Sequence, residues 1–357
     1  MKQFNVAVDL GNKQTKIWTA QGPMVLPSKL INAAIAGVDQ AQSILSTGKA
    51  ADHIYKMQVV NEFGTYFWGQ NLDQMHLDDT ILESRGGGLR YGTPMYKRLV
   101  NFALALAVKQ LGVNPETPVE LNVMTGLPTS DFLRTDNRIA SAVEQAFAGT
   151  HSVNVDGETY IFKVPKENLS VIPQPKGTMY NLALDDSANI KMPNILQEKV
   201  GVIDIGGGTL ILNEFVNFVL NKTMDDTTDM GAQKLYSLVK RYSDDNLSID
   251  RIERTLKNPQ DGHYIYHFSS AYQENIDQAF KVAQQAWEEQ IINEVLTQFG
   301  DYQSYDTLIV TGGGANLLDT RIFEDSIPNV QFVANSETAN AHGFYKALVL
   351  AQRTATK

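Results

Sequence analysis

The chain of 357 residues contains no cysteine. This absence excludes disulfide bonds, thiol nucleophiles and sites in which cysteine holds zinc or an iron–sulfur cluster. Long apolar runs are also absent, since no window of about 18 apolar residues occurs. The first residues, MKQFNVAVDLGNK, lack the apolar stretch of a signal peptide. We therefore expect a cytoplasmic protein without a membrane span.

Positive charge is scarce relative to negative charge. Thirty Lys and Arg residues against forty Asp and Glu residues give a net charge of −10. A dedicated DNA- or RNA-binding protein usually has a basic face, so we expect no direct contact with nucleic acid. An acidic surface suits a basic protein partner. The length predicts two or three domains, or one large bilobed fold.

Several common catalytic motifs are missing. Gly48–Lys49 lacks both the earlier glycine and the following Ser or Thr of a P-loop. The third glycine of a dinucleotide-binding fingerprint is replaced by Ile211 after one glycine cluster and by Leu317 after another. His263 and His267 are four residues apart, but they are more typical of surface residues than of metal ligands.

A strand–turn–strand pattern occurs twice. Apolar residues alternate over 4–8, and the strand ends at Asp9 before a Gly/Asn turn and a second strand. The segment 200–205 repeats this pattern, with Asp204 in the place of Asp9 and a turn at Gly206–Gly208. The two Asp-x-Gly motifs are 195 residues apart. The repetition predicts an internal duplication on the scale of a domain.

A third glycine-rich turn, Gly312–Gly314, follows a predicted buried strand at 307–310. Because glycine has no Cβ, backbone N–H groups at such turns can approach an anion closely. Two such turns facing each other would hold a polyphosphate, with Lys13 or Lys16 offsetting its charge. Uncharged side chains that could add hydrogen bonds are Asn12, Thr15 and Thr209.

Asp9 and Asp204 lie beside these turns. A carboxylate does not contact a phosphate favourably, so the pair predicts a bridging cation with its waters, a role that suits Mg²⁺. For a single Asp-x-Gly motif, the simpler interpretation is that the aspartate caps its own turn. The paired motifs and the third turn together favour nucleotide binding.

Helical periodicity predicts the remaining elements. A helix opens at Pro94 and stops at Gly112, and a stripe of apolar residues over 276–299 predicts a long helix that packs in the core. Tyr66–Trp68 could be a contact surface, but a core strand is the better interpretation. The glycine-rich segment 85–90 predicts a mobile loop. Further helices are predicted at 135–148, 231–242 and 337–351.

Three of these segments resemble the nucleotide loops of the actin superfamily, which includes actins, heat-shock chaperone ATPases, sugar kinases and bacterial actin-like proteins. Asp9–Lys16, DLGNKQTK, is similar to the first phosphate loop, and Asp204–Thr209, DIGGGT, is similar to the second. Thr311–Asn316, TGGGAN, resembles the adenosine-side loop. The resemblance implies an α/β fold of two duplicated ribonuclease-H-like (actin-like) domains around a central nucleotide cleft.

Two further segments narrow the resemblance. Val171–Pro175 resembles the segment that carries a water-orienting Gln or Glu in actins, here Gln174. Ala339–Phe344 resembles the hinge helix of ParM-like and archaeal actin-like proteins, and Gly126–Pro128 agrees with this. The chain is therefore most similar to ParM-like plasmid-segregation actins. One departure is Ile211, where many relatives carry an Asp; it leaves the arrangement of the second loop and its metal waters in question.

The resemblance implies two domains. Actin-like domain I would span 1–175, with a small inserted subdomain at about 30–90, and helix 337–357 would complete it. Domain II would span 176–336, with an inserted subdomain at about 240–300.

The resemblance also implies a mechanism with ATP or GTP and Mg²⁺ as cofactors. Gln174 would orient the attacking water, because an amide is too weak a base to take its proton. Asp204 and Asp9 would hold the water shell of the metal. Gln174 could instead hydrogen-bond the backbone at its Gln-Pro turn. The nucleotide-binding residues would be Gly11, Asn12, Lys13, Lys16, Gly206, Gly207, Gly208, Thr209, Gln233, Lys234, Gly312, Gly313, Gly314 and Asn316.

The implied function is that of an ATPase, or GTPase, that polymerises head-to-tail into dynamic filaments and segregates plasmid DNA. A centromere-binding adaptor of ParR type would link the filament to DNA, so the chain itself would touch neither DNA nor membrane. The alternative is a small-molecule, sugar-type kinase of the same superfamily. Asp131 is its conceivable base, although a helix N-cap explains this residue better.

Overall fold

The computed structural model forms two compact units. The first contains residues 1–192 and 340–357, and the second contains residues 193–339. Among the described helices, none combines the length and the apolar character that crossing a membrane requires. The structure describes residues 1–36, 54–70, 72, 81–84, 88–135, 137–243, 246–269, 271–327 and 329–355.

The division between the units falls after Met192. The resemblance implied a boundary at residue 175, where a helix over Pro175–Ala183 begins. That helix lies in the first unit because it packs against the last helix of the chain. The Thr178 backbone N–H and hydroxyl both donate to the side-chain oxygen of Asn340, at 3.1 and 2.8 Å.

The first unit is built on a mixed sheet. Its described strands follow the order β3-β2-β1-β8-β10-β9-β5-β6-β4-β7, and β11 pairs with the far end of β8. The strands are β1 (Lys2–Leu10), β2 (Gln14–Thr19), β3 (Gly22–Pro27), β4 (Lys29–Asn32), β5 (Ile54–Val59), β6 (Tyr66–Gly69), β7 (Ile81–Glu83), β8 (Val119–Leu127), β9 (Gly149–Val155), β10 (Glu158–Val164) and β11 (Leu169–Pro173).

Helices cover both faces of this sheet. Val6 and Val8 face the main core of the unit, whereas Ala7 points the other way and packs beside Phe344 of the last helix. Burial on both faces explains why β1 is apolar at consecutive positions near its end. Tyr66–Trp68 is buried, which confirms the core interpretation. The helices are α1 (Ala33–Ala36), α2 (Pro94–Gln110), α3 (Thr129–Phe132), α4 (Arg138–Phe147) and α5 (Pro175–Ala183), with 3₁₀ turns at Gly88–Gly92 and Lys166–Asn168.

The second unit has a five-stranded sheet in the order β14-β13-β12-β17-β18, plus a separate hairpin. Its strands are β12 (Lys199–Ile205), β13 (Leu210–Val216), β14 (Val219–Thr228), β15 (Ile265–His267), β16 (Gln273–Asn275), β17 (Thr307–Thr311) and β18 (Val330–Phe332). Its helices are α6 (Ala232–Tyr242), α7 (Ile249–Lys257), α8 (Asp277–Phe299) and α9 (Thr320–Ser326), with 3₁₀ turns at Asn194–Leu196, Tyr302–Ser304, Gly313–Leu317 and Ser336–Thr338. The predicted stripe of α8 is buried throughout.

The two units repeat one topology. In each, three antiparallel strands are followed by two parallel ones: β3-β2-β1-β8-β11 in the first unit and β14-β13-β12-β17-β18 in the second. Asp9 pairs across its hairpin with Lys16, and Asp204 pairs at the same place with Ile211. The duplication predicted from the two Asp-x-Gly motifs is therefore present at the level of strand order and register.

The last helix, α10 (Ala339–Ala355), contacts α5 without intervening side chains. A Cβ added to Gly343 would lie 1.7 Å from the carbonyl oxygen of Gly177 and 2.9 Å from the backbone nitrogen of Asn181. The ring of Phe344 covers Gly126 and Gly177 in turn. Three segments singled out in the sequence, at 126–128, 171–175 and 339–344, thus meet around one phenylalanine.

A buried lysine fastens the same pair of helices. Lys346 is 2% exposed, and its ammonium donates to the Asn181 side-chain oxygen at 2.9 Å and to the carbonyl of Leu184 at 3.0 Å. Burial lowers the pKa of Lys346. The end of α5 is thereby fixed to α10 by hydrogen bonds as well as by the close backbone contact.

Gly343→Ala is expected to destabilise the protein by about 3 kcal/mol or to prevent folding, because the two helix backbones must separate to admit the methyl group. Urea unfolding followed by circular dichroism measures this. Gly92→Ala is the control, since a Cβ there meets nothing within 4 Å and the residue is exposed. Equal stabilities of the two variants would contradict the close contact.

Candidate functional site

The first glycine loop is a four-residue turn between β1 and β2. The Gly11 N–H donates to the carbonyl of Gln14 at 2.9 Å and closes the turn. Asp9, 1% exposed, lies at the end of β1, and its carboxylate accepts from the Lys16 ammonium at 3.3 Å. The loop therefore combines a buried ion pair with a turn whose Asn12 side chain is exposed and whose Lys13 is half-buried.

Buried hydroxyl groups hold this turn from behind. Ser28 donates its hydroxyl to the carbonyl of Gly11 at 2.7 Å, and its backbone N–H donates to the carbonyl of Lys13 at 2.8 Å. The Thr15 and Ser28 hydroxyls lie 3.0 Å apart. The sequence suggested that the Thr15 hydroxyl could bind a ligand at the loop surface. Thr15 is instead fully buried, so it supports the turn from within the unit.

The sequence interpretation missed Arg90. Its guanidinium donates to the carbonyl of Leu10 and to the side-chain oxygen of Asn12, on either side of Gly11. The predicted mobile loop at 85–90 is wrong for its last residues, because Gly88–Gly92 forms a 3₁₀ turn in which Arg90 is buried; residues 85–87 lie outside the described residues. Nothing in the local pattern links residue 90 to residue 11, since their contact is made only by the fold.

The second glycine loop repeats the turn of the first. The Gly206 N–H donates to the carbonyl of Thr209 at 2.8 Å, as Gly11 does to Gln14. The start of α6 uses the carbonyls of this loop: Ala232 N–H donates to Gly206 at 3.0 Å and Gln233 N–H to Gly207 at 2.8 Å. Within the described residues, the N–H groups of Gly207 and Gly208 donate to no acceptor. Unused amides on a glycine turn fit an anion such as a phosphate group.

Gly231 allows α6 to approach the second loop. A Cβ at this position would lie 2.4 Å from the backbone nitrogen of Thr209 and 2.7 Å from the carbonyl oxygen of Gly206. Gln233, predicted to bind the nucleotide, is half-buried in the first turn of α6, and Lys234 beside it is exposed. Both predicted residues therefore lie next to the loop.

The third glycine loop adjoins the second. Gly312 has a φ of 89°, and a Cβ there would lie 2.4 Å from a carboxylate oxygen of Asp204 and 2.3 Å from the carbonyl oxygen of Ile205. Only glycine fits this position. Asn316, predicted on the adenosine side, accepts from the Ser336 hydroxyl at 3.2 Å. The second unit thus brings Asp204, Gly206–Thr209 and Gly312–Gly314 together.

Helix α8 does more than fill the core. The Trp287 indole N–H donates to the carbonyl of Met230 at 2.9 Å, next to Gly231. One turn away, the Gln284 amide donates to the carbonyl of Leu317 at 2.7 Å, and Glu288 accepts from the backbone N–H of Asp319. Positions 284, 287 and 288 share one helix face, so this face fixes segments beside both loops of the second unit.

Gln174 lies at the start of α5 in the first unit. Its backbone N–H donates to the carbonyl of Leu127 at 2.7 Å, and its side chain makes no capping bond to the helix. The alternative role as a side-chain cap of its own turn is therefore not the arrangement observed.

Asp131 does not cap a helix either. The N-cap of α3 is Pro128, and the Asp131 carboxylate accepts from the Tyr91 hydroxyl at 2.8 Å. The N-cap interpretation of Asp131 is wrong, because a tertiary contact uses its carboxylate.

The carboxylates belong to different units, with Asp9 in the first and Asp204 in the second. The described part of the chain has no group of three or more His, Cys, Asp or Glu residues that could hold a metal ion. Asp204 is 5% exposed and lies against the third loop.

Comparison with known families agrees with this geometry. Residues 7–177 match the family described as the N-terminal domain of actin-like proteins, and residues 202–324 match the archaeal actin homologue MreB-like C-terminal family. These two matches include every glycine loop described above. The chain belongs to the actin superfamily. A search of curated protein sequences finds no match.

Solved structures show the same fold over the whole chain. Apo ParM of pSK41 is 19% identical with a TM-score of 0.76, covering 100% of both chains. An archaeal actin homologue in complex with ADP is 18% identical with a TM-score of 0.73, covering 98% of this chain and 99% of the other. A ParM from Clostridium botulinum, solved as a 15-stranded filament, is 20% identical with a TM-score of 0.74, covering 98% and 99%. The chain is thus similar to ParM and to archaeal actin homologues.

Glu288 is expected to make the free energy of unfolding depend on pH. The residue is fully buried, and loss of hydration raises its pKa from 4.5 to about 7; the nearby Asp319 carboxylate adds to the rise, and the hydrogen bond from the Asp319 N–H opposes it. A raised pKa means that the folded state binds the proton more tightly than the unfolded state. Its contribution to stability is complete below about pH 4.5 and is lost as the pH rises through about 7.

Glu288→Gln is expected to remove this dependence, because the amide keeps an acceptor for Asp319 N–H and carries no charge. Between pH 5 and pH 8, the unfolding free energy of the wild type should fall by about 2 kcal/mol relative to the variant. Urea unfolding at several pH values measures the difference. Glu289→Gln, on the exposed face of the same helix, is the control. Parallel pH profiles for wild type and Glu288→Gln would show that Glu288 is ionised in the folded protein.

Proposed function

We propose that this chain is an actin-like nucleoside triphosphatase that assembles into dynamic filaments. The observation that carries the proposal is the matched pair of turns, Gly11–Gln14 and Gly206–Thr209, each following a buried aspartate. Such turns present backbone N–H groups to an anion. An archaeal actin homologue of the same fold has been solved with ADP. ATP, or GTP, with Mg²⁺ is the proposed ligand.

The roles of the loop residues follow from where they lie. Lys13 would supply positive charge at the first loop, and the Asp9–Lys16 pair would keep the loop in its orientation. The unused amides of the second loop would bind phosphate oxygens. Gln233 and Lys234 on α6, with the third loop and Asn316, would contact the adenosine side. Mg²⁺, when bound, would neutralise charge on the phosphate oxygens, and Asp9 and Asp204 would hold its waters.

Gln174 is the proposed water-orienting residue. Its backbone is fixed at the start of α5 by the bond to Leu127, while its side chain caps no helix. An amide can position a water molecule by hydrogen bonding, but it does not take a proton. Loss of this side chain should therefore slow hydrolysis and leave nucleotide binding intact.

The chain is proposed to associate with itself into filaments, and hydrolysis is proposed to limit how long a filament persists. A ParM of the same fold has been solved as a filament, and head-to-tail contacts that do not close produce such polymers. The acidic net charge suits a basic adaptor protein of ParR type, which would connect the filament to plasmid DNA in the cytoplasm. The kinase alternative loses support, because its candidate base Asp131 is hydrogen-bonded to Tyr91.

The test combines light scattering with phosphate release after ATP and Mg²⁺ are added over a range of protein concentrations. Wild type should show a critical concentration and scattering that decays as phosphate appears. Gln174→Ala should still assemble but release phosphate about 10- to 100-fold more slowly, so its scattering persists. Gln145→Ala, on the exposed face of α4, should behave as wild type.

Two results would contradict the proposal. Scattering that never rises, together with turnover that a sugar or another acceptor stimulates, would favour the kinase. Unchanged phosphate release in Gln174→Ala would show that Gln174 does not orient the attacking water, but it would not contradict filament assembly.

A further inference from the structure

Arg90 is a buried cation beside the first glycine loop. Arg90 is 7% exposed and lies within the 3₁₀ turn Gly88–Gly92. Its carbonyl accepts from the backbone N–H and the hydroxyl of Thr93, at 3.0 and 2.7 Å, where Thr93 caps α2. The residue is therefore fixed at the start of the central helix of its unit.

The guanidinium holds the loop on both sides of Gly11. It donates to the Leu10 carbonyl and to the Asn12 side-chain oxygen. The rings of Tyr91 and Tyr96 lie against it, with centroids 5.1 and 5.7 Å from the guanidinium carbon. A planar guanidinium suits such stacking and two directed hydrogen bonds, which a lysine could not combine.

Within the described parts of the chain, the charge of Arg90 has no ion-pair partner. Among the described residues, no carboxylate lies within 4.0 Å of its guanidinium, and its Nε donates to no acceptor. Two acidic groups near the same tyrosine rings are used elsewhere, Asp9 by Lys16 and Asp131 by the Tyr91 hydroxyl. A buried cation without a counter-ion is costly unless an anion completes the site.

We propose that Arg90 is a positioning residue that completes the first phosphate loop, with the negative charge of a bound polyphosphate as its missing counter-ion. The inference rests on the proposed nucleotide binding and adds a residue to it. Arg90 orients Asn12 and the Leu10–Gly11 peptide by hydrogen bonds, and its charge attracts the phosphates from behind the loop. Its contribution therefore grows with the number of phosphates on the ligand.

The test measures affinities for ATP, ADP and adenosine in the presence of Mg²⁺ by calorimetry. Arg90→Gln should weaken ATP binding about tenfold or more and ADP binding less, while adenosine binding changes less than about twofold. Arg90→Lys keeps the positive charge but not the planar guanidinium with its two directed hydrogen bonds, so it should lose less ATP affinity than Arg90→Gln. Raised ionic strength should reduce the difference between wild type and Arg90→Gln.

Arg98→Gln is the matched control. Arg98 lies over the ring of Tyr66 at 4.9 Å and 3.9 Å from Glu62, so the substitution removes the same charge and a similar stacking contact within the same unit. Its affinities for all three ligands should equal those of the wild type. Thermal unfolding of each variant without ligand reports any loss of folding.

The outcomes separate the inference from the function on which it rests. If Arg90→Gln lowers the affinities for ATP and for adenosine equally, Arg90 is only a structural support and the inference is wrong. Unchanged affinities would also overturn the inference. A wild type that binds no nucleotide would overturn the proposed function as well.

Hydrogen exchange gives a second measurement that needs no variant. In the wild type, ATP should slow amide exchange in residues 88–91, whereas adenosine should not. Exchange in this segment that is unaffected by ATP would contradict the role of Arg90 even if Arg90→Gln does not fold.

Discussion

The geometry of the site depends on one constraint, a four-residue turn that follows a buried strand ending in aspartate. In such a turn, carbonyls and amides point to different sides, and each buried polar group needs a partner. In the second unit, α6 supplies the partners for the carbonyls through its first N–H groups, and the amides of Gly207 and Gly208 donate to no acceptor among the described residues. In the first unit, Ser28 and Arg90 supply them instead. The same backbone turn is therefore supported by different chemistry in the two units.

These two kinds of support give the units different charges at the equivalent position. Lys16 lies across the hairpin from Asp9, whereas Ile211 lies across from Asp204. Two cations, Lys16 and Arg90, thus lie beside the first loop. The second loop has the apolar Ile211 and the N-terminus of α6, with its partial positive charge, in their place. The departure from the family pattern at Ile211 is therefore part of an asymmetry in which full positive charge is concentrated at the first loop.

The sequence predicted what short-range patterns encode. Alternating apolar residues located β1 and β12, and the glycines located the turns, because strand period and backbone freedom are local properties. It did not predict that Arg90 contacts Asn12, or that Glu288 accepts from the backbone N–H of Asp319, since such contacts join residues far apart in the chain and no local pattern encodes them. The division after Met192 has the same origin: α5 lies in the first unit through its packing against α10, and the bonded residues Thr178 and Asn340 are 162 positions apart in sequence.

The packing around Phe344 shows how a residue can be positioned without any bond from its own side chain. Gly126, Gly177 and Gly343 let β8, α5 and α10 approach until backbone atoms and the Phe344 ring are in direct contact. Gln174 lies within this cluster, its Cα 3.1 Å from where a Cβ on Gly126 would be, and its N–H donates to Leu127. Backbone packing and the bond to Leu127 therefore fix the position of Gln174, while its side-chain amide makes no capping bond to the helix.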